Sequence, residues 1–180
     1  MEISKILAKY DTDKVKEHTY GIFYDYLFQN YDREKPINLL EIGTYKGESL
    51  KAWREIFPNA KITGIDIVDM VENKDPSINY IIQDIKEFKP TEEYYIIIDD
   101  GSHWLRDIVP MVNNCVYKLK KNGIMIIEDV QGERLWVYLL TDLLAPNLTY
   151  NKGYDFKVEY WDNRAERDRI DDFIILITRQ

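Results

Sequence analysis

Two pairs of acidic residues, each directly after an apolar run, are the strongest chemical signal in the sequence. Asp99 and Asp100 follow the first run, and Glu128 and Asp129 follow the second. Because neighbouring parallel strands end at the same edge of a sheet, these four carboxylates are expected to lie together. Their mutual repulsion must be relieved by protonation, a basic partner or a cation. Oxygen ligands favour a hard divalent ion, and Mg2+ is the first expectation.

The two acidic pairs lead to a prediction of metal ligands and of a general base. Asp100, Glu128 and Asp129 are the predicted ligands. His103 follows Asp100 by three residues, and an imidazole titrates near neutral pH. We therefore predict that His103 is the general base, with Asp100 beside it as a second catalytic residue. The structural alternative is that Ser102 caps the next helix and that the acids only favour its dipole.

A further acidic residue, Glu41, begins a glycine-containing segment. Residues 41–47 have the pattern E-x-G-x-x-x-G, which differs from the G-x-G-x-x-G of dinucleotide sites. A carboxylate there would repel a diphosphate but suits an ammonium group, which S-adenosylmethionine carries without any phosphate. Gly43 would let the backbone approach that ligand closely. S-adenosylmethionine is therefore the predicted cofactor.

Other residues at the predicted strand ends complete the cofactor site. Asp66 would accept hydrogen bonds from the ribose hydroxyls, and Gln83 and Asp84 would meet the adenine amino group. Asp99 is expected either to accept loop N–H groups or to face the cofactor. An isolated acidic residue is often only a helix cap, so the prediction depends on the whole set. That set is Glu41, Gly43, Thr44, Tyr45, Gly47, Ser49, Asp66, Ile67, Gln83, Asp84 and Asp99.

Alternating strands and helices would position these residues. The predicted strands cover residues 38–42, 61–66, 79–82, 94–99 and 124–127, followed by an antiparallel pair at 156–161 and 173–178. Repeated β-α units imply a parallel sheet with helices on both faces. The final hairpin separates the class I methyltransferase fold from a plain dinucleotide fold. We therefore predict an α/β, doubly wound, Rossmann-like class I methyltransferase sheet of order 3-2-1-4-5-7-6. Strand 7 is antiparallel, and N-terminal helices precede the sheet.

Length and composition limit the domains and the partners. The 180 residues, 45% of them hydrophobic, predict one methyltransferase domain over 1–180, with an N-terminal helical cap at 1–35 and the core at 36–180. A net charge of −8 disfavours nucleic acid. No apolar run suits a signal peptide or a membrane span, and one cysteine, Cys115, fits a reducing compartment, so a cytoplasmic location without membrane contact is expected.

The N-terminal cap carries residues suited to closing a site. Tyr20 and Tyr24 share a helical face, although packing on the sheet is the alternative interpretation. Trp104 and Trp136 are able to stack on a sugar ring, and structural packing is again the alternative. The tyrosine-rich helix and the final hairpin offer apolar surface to a second copy, so a homo-oligomer is one expectation. The predicted substrate contacts are Lys14, His18, Tyr20 and Trp104.

These motifs resemble those of the metal-dependent, mycinamicin-type sugar O-methyltransferases of macrolide biosynthesis and of the wider cephalosporin hydroxylase-like methyltransferase group. The shared stretches are T-D-K…H-x-Y at 12–20, I-D-D-G-S-H at 98–103 and I-E-D at 127–129, and the resemblance spans about residues 10 to 180. It implies magnesium at Asp100, Glu128 and Asp129, and His103 as the base. It also implies a sugar hydroxyl as acceptor.

The expected function is therefore S-adenosylmethionine-dependent, Mg2+-assisted O-methylation of a sugar or glycosylated small molecule. Three other interpretations remain open. One is a catechol- or phenol-type O-methyltransferase with the same metal and fold. Another is a binding or assembly protein that holds the cofactor without turnover. The last is a nicotinamide-dependent enzyme, against which Glu41 argues.

Overall fold

A computed structural model of the chain describes residues 1–131 and 154–180. The strands are β1 Asn38–Ile42, β2 Lys61–Asp66, β3 Ile78–Ile82, β4 Tyr94–Asp99, β5 Leu119–Ile127, β6 Phe156–Asp162 and β7 Phe173–Arg179. The helices of the described residues are α1 Ile3–Lys9, α2 Asp13–Lys16, α3 Tyr20–Leu27, α4 Glu48–Ile56, α5 Leu105–Cys115 and α6 Arg164–Arg167, with a 3-10 turn at Val116–Lys118.

The strands form one seven-stranded sheet with the order β3-β2-β1-β4-β5-β7-β6. The pairs among β1 to β5 are parallel. Strand β7 is antiparallel to both of its neighbours, β5 and β6. The predicted fold class and strand order are therefore confirmed.

The central strands are buried on both faces, which explains their unbroken apolar sequences. In β4, Ile96 and Ile98 pack into one hydrophobic cluster and Ile97 into the other. Leu39 and Leu40 of β1 divide between the same two clusters. Successive side chains of a strand point to opposite faces, so a strand covered on both sides needs apolar residues at every position.

The start of β5 differs from the prediction. The sequence predicts a helix to residue 119, a turn at Asn122 and a strand from 124, whereas the strand begins at Leu119. Its pairing with β4 is irregular: Tyr94 opposes Leu119, and Ile96 opposes Ile124. Asn122 has a φ of +62° within this irregular stretch. The predicted turn is thus absorbed as a bulge inside the strand.

The N-terminal helices pack against the sheet face that α4 also covers. Ile3 and Leu7 of α1 and Tyr24 of α3 lie in one buried cluster with Trp53 of α4. The α1 N-terminus is fixed by Asp25 of α3, whose Oδ1 accepts the Ile3 backbone N–H at 2.5 Å. Within residues 1–131 and 154–180, none of the helices combines the length and apolar character needed to cross a bilayer.

Candidate active site at the carboxyl edge of the sheet

A cavity of about 330 Å³ opens where β1, β2 and β4 end. Its volume is in the range of small-molecule pockets. The predicted cofactor residues that line it are Gly43, Tyr45, Asp66, Ile67, Gln83, Asp84 and Asp99. The other predicted cofactor residues, Glu41, Thr44, Gly47 and Ser49, do not line it.

The loop after β1 is held by the end of β2. Asp66 Oδ2 accepts the backbone N–H groups of Thr44 and Tyr45, both at 2.9 Å. Tyr45 has a φ of +44°, which is uncommon for a residue with a side chain. Asp66 therefore shapes the cavity wall and also lines it.

Position 43 must be glycine because a side chain there would collide with the loop after β4. The φ of Gly43 is +82°, and an added Cβ would lie 1.9 Å from the Asp100 carbonyl oxygen. The absent side chain lets the loop after β1 lie directly against the loop after β4. The partner that requires glycine here is therefore backbone, and the approach of Gly43 to a ligand stays a prediction.

Glu41 is fully buried beneath this loop. Its carboxylate accepts hydrogen bonds from Ser49 Oγ at 2.8 Å and Trp53 Nε1 at 3.0 Å. Burial raises the pKa of Glu41 to about 7, although the nearby Lys14 ammonium opposes the shift. The structure therefore holds this carboxylate behind the cavity wall, and Ser49 serves as its donor.

Asp100, His103 and Asp129 come together beside the cavity. One ligand atom from each lies within 4.8 Å of the others. His103 Nε2 is 3.6 Å from Asp129 Oδ2. Both residues adopt a positive φ, +60° for His103 and +52° for Asp129, a strained conformation typical of functional sites. The two carboxylates at this spacing suit a divalent ion, and the imidazole lies beside them.

Glu128, the third predicted ligand, points elsewhere. Its side chain is 1% exposed. Oε2 contacts the Lys14 ammonium, and Oε1 accepts a hydrogen bond from the Tyr24 hydroxyl at 2.7 Å. Burial raises the pKa of Glu128 well above its usual range, against the opposing effect of Lys14. Both carboxylate oxygens are thus held by the N-terminal cap.

Lys14 is enclosed among acidic side chains. Its Nζ lies 2.5 Å from Asp100 Oδ2 and 3.8 Å from Glu41 Oε1, in addition to the contact with Glu128. The side chain is 1% exposed, although the sequence predicts a substrate contact. Burial lowers the pKa of Lys14, but the surrounding carboxylates outweigh it and raise the pKa well above its usual value.

His18 and Tyr20 also reach the site from the cap. The Tyr20 hydroxyl donates to Asp129 Oδ1 at 2.5 Å. The rings of His18 and Tyr20 are stacked with centroids 4.7 Å apart. His18 Nδ1 lies 2.5 Å from Asp172 Oδ1 and 3.3 Å from Asp129 Oδ1. These contacts are with protein groups, and His18 is 4% exposed.

Asp172, which is not among the residues predicted from the sequence, is fully buried beside His18. Asp172 immediately precedes β7. Because β7 is antiparallel, its beginning lies where β5 ends, and Val130 N–H donates to Phe173 O at 3.1 Å. The acidic residues directly before the antiparallel strand could therefore have been predicted to lie at this site.

The outer rim carries Trp104, which is 57% exposed directly after His103. The Arg106 guanidinium lies 5.5 Å from its ring centroid. Ser102 does not cap α5: its Oγ donates to Asp107 at 2.6 Å, and the helix begins after Trp104 without a side-chain cap. Trp136, the other predicted stacking residue, lies outside the described residues.

The chain is similar to known O-methyltransferases in sequence and in fold. The 8-demethyl-8-alpha-L-rhamnosyl tetracenomycin-C 2'-O-methyltransferase of Streptomyces olivaceus is 24% identical over 143 residues, which cover 72% of this chain and 38% of that protein. The solved structure of MycE, a methyltransferase of the mycinamycin biosynthetic pathway, in complex with Mg and SAH, has a TM-score of 0.77 and 23% identity. The match covers 99% of this chain and 55% of that one.

The chain has the class I methyltransferase fold. The resemblance to the macrolide-type sugar O-methyltransferases that the motifs predict is confirmed. Malonyl-[acyl-carrier protein] O-methyltransferase 1 of Ilyobacter polytropus is 28% identical over 131 residues, 67% of this chain and 48% of that protein. The chain thus spans less than half the length of both curated relatives. No protein-family model matches it.

Proposed function

We propose that this chain is an S-adenosylmethionine-dependent, Mg2+-assisted O-methyltransferase acting on a hydroxyl of a sugar or glycosylated small molecule. The observation that carries the proposal is that the cavity and the Asp100–His103–Asp129 group share Asp100. A methyl donor in the cavity would therefore lie beside a cation site and a base. Methyl transfer to oxygen needs that proximity, because the acceptor must be aligned with the donor.

The charge of the cavity supports a cationic ligand. Acidic side chains in its lining outnumber the one basic side chain, Lys86, which pairs with Asp84 at 3.4 Å. Burial raises the pKa of Asp99 to about 7, so this wall carries a partial charge near neutral pH. S-adenosylmethionine has a sulfonium and an ammonium group, whereas the diphosphate of a dinucleotide would be repelled.

Particular residues are assigned to particular parts of the donor in this proposal. Asp66 would accept hydrogen bonds from ribose hydroxyls, because carboxylate oxygens retain acceptor capacity beyond the bonds from Thr44 and Tyr45. Gln83 and Asp84 would meet the adenine amino group. Glu41, behind the wall, would contribute negative charge towards the methionine end.

The metal ligands of the proposal are Asp100 and Asp129. Glu128, the third ligand that the sequence predicts, would have to exchange its contacts with Lys14 and Tyr24 for the ion. An ion at this position, when bound, would lower the pKa of an acceptor hydroxyl. His103 would take the hydroxyl proton, because its side chain is 28% exposed at the mouth of the site and reaches Asp129 with Nε2. General-base help of this kind typically contributes about 10²- to 10⁴-fold.

One relative suggests a second candidate acceptor. The Ilyobacter polytropus protein is named for methylation of a malonyl group on a carrier protein, and a carboxylate acceptor needs no general base. The grouping of His103 with Asp100 and Asp129 favours a hydroxyl acceptor instead. A catechol or phenol acceptor would also use Asp100, His103 and Asp129. Only the side chains that enclose the aromatic ring would distinguish it from a sugar acceptor.

The test is methyl transfer from labelled S-adenosylmethionine to three acceptor types: glycosides, a catechol and a malonyl thioester. Each reaction is run with Mg2+ and with chelator. We expect methyl transfer to glycosides in Mg2+ and no transfer in chelator. Transfer only to the thioester, equal in both conditions, would replace the hydroxyl proposal with the carboxylate one. Transfer to none in cofactor-binding protein would favour the non-catalytic interpretation.

A further inference from the structure

Lys14 stands out among the described residues as an ammonium buried within a group of carboxylates. We name Glu41, Asp100, Glu128 and Asp129 the acidic cluster. We propose that Lys14 is a built-in counter-cation of this cluster: it positions Glu128 and Asp100 and competes electrostatically with a divalent ion. The part of the proposal that concerns the ion rests on the proposed function.

Among the described residues, the partners of Lys14 are acidic side chains. Its Nζ donates to Asp100 Oδ2 and Glu128 Oε2, and Glu41 Oε1 lies 3.8 Å away, at ion-pair distance. With 1% exposure, the group is closed to an acceptor in solution. Its role is therefore directed at the protein's own carboxylates.

Glu128 is fixed from two sides by the N-terminal cap. Lys14 holds Oε2, and the Tyr24 hydroxyl holds Oε1 at 2.7 Å. Tyr24 is fully buried, so this second contact is also shielded from water. A carboxylate with both oxygens paired keeps one orientation, which is what a positioning residue must provide.

The charge balance predicts antagonism between Lys14 and a divalent ion. A buried carboxylate that stays ionised is stabilised by a positive charge that compensates for its lost hydration. Lys14 supplies one such charge, and an ion at Asp100 and Asp129 would lie next to it. Two cations near the same carboxylates repel each other, so each weakens the binding of the other. Removal of the ammonium should make the fold depend more strongly on the ion.

The test is thermal unfolding of the native chain and of Lys14→Met, in chelator and in Mn2+. Lys16→Met is the matched control on the same helix, because the Lys16 side chain is 58% exposed near Asp11. Lys14→Met should lower the unfolding midpoint in chelator by roughly 10 °C, and Mn2+ should raise the variant's midpoint more than the native one. The control should follow the native chain.

Two results would overturn the proposal. One is a Lys14→Met midpoint equal to the native midpoint in chelator. The other is a lowered midpoint that Mn2+ raises no more than it raises the native midpoint. If Lys14→Met fails to fold in both conditions, the folding of the double variant Lys14→Met, Glu128→Gln is measured instead. Recovery of folding supports charge compensation, and continued failure contradicts it. These measurements contain no methyl donor or acceptor, so their failure is separate from failure of the proposed methyl transfer.

Discussion

The hydroxyl of Tyr20 makes two hydrogen bonds with Asp129. It donates to Oδ1 at 2.5 Å and accepts from the Asp129 backbone N–H at 3.2 Å. Asp129 has a φ of +52°, so the tyrosine supports an uncommon backbone conformation as well as a side-chain orientation. The N-terminal cap thus holds a predicted metal ligand from both its backbone and its carboxylate.

Tyr20→Phe is expected to lower the free energy of unfolding by about 1–3 kcal/mol, because a buried carboxylate oxygen and an N–H group lose their partner. Urea unfolding in chelator measures this change. Tyr26→Phe is the control, since Tyr26 lies on the same helix but is 61% exposed. Equal free energies of unfolding for Tyr20→Phe and the native chain would contradict the importance of the contact.

His103→Asn is expected to reduce turnover about 10²- to 10⁴-fold while sparing affinity for S-adenosylhomocysteine, because only the base is lost. Asparagine is chosen over alanine because His103 has a φ of +60°, which asparagine tolerates well. Single-turnover methyl transfer and calorimetry separate the two effects. Loss of cofactor affinity together with turnover would make His103 a structural residue.

Glu41 predicts a pH dependence of stability. Its pKa in the folded chain is raised from 4.5 to about 7, chiefly by burial. The folded carboxyl therefore keeps its proton over a pH range in which the unfolded one has lost it. The contribution of Glu41 to the free energy of unfolding is therefore greatest below pH 4.5. It decreases by roughly 3 kcal/mol in total as the pH rises towards 7.

Glu41→Gln removes this titration. The free energy of unfolding in urea, measured at pH 5 and at pH 8, should fall less with rising pH in the variant than in the native chain. Glu55→Gln is a suitable control, because Glu55 is a partly exposed surface carboxylate paired with Lys9. The same pH slope in native and Glu41→Gln proteins would contradict the raised pKa.

The sequence predicted the parts of the molecule that depend on local pattern. Ile96, Ile97 and Ile98 mark a strand buried on both faces, and Asp99 marks its end at the sheet edge. Gly43 and Tyr45 after β1 and Asp66 at the end of β2 line the cavity, because strand order alone brings these positions to the same edge.

The remaining features depend on contacts between distant segments. Lys14 is 86 residues from Asp100 and 114 from Glu128, and no local pattern indicates that its ammonium enters their cluster. Asp172 is not among the predicted residues because it precedes an antiparallel strand, which begins at the edge where the parallel strands end. The burial of Glu41 behind the wall, bonded to Trp53, is likewise a tertiary property that the 41–47 segment does not indicate.

The most direct test of the central claim is calorimetric titration of the chain with S-adenosylmethionine, S-adenosylhomocysteine and NAD+, each in Mg2+ and in chelator. The acidic cavity should bind the first two and reject the diphosphate of NAD+. Binding of NAD+ alone, or of none of the three by well-folded protein, would contradict the assignment of this site to a methyl donor.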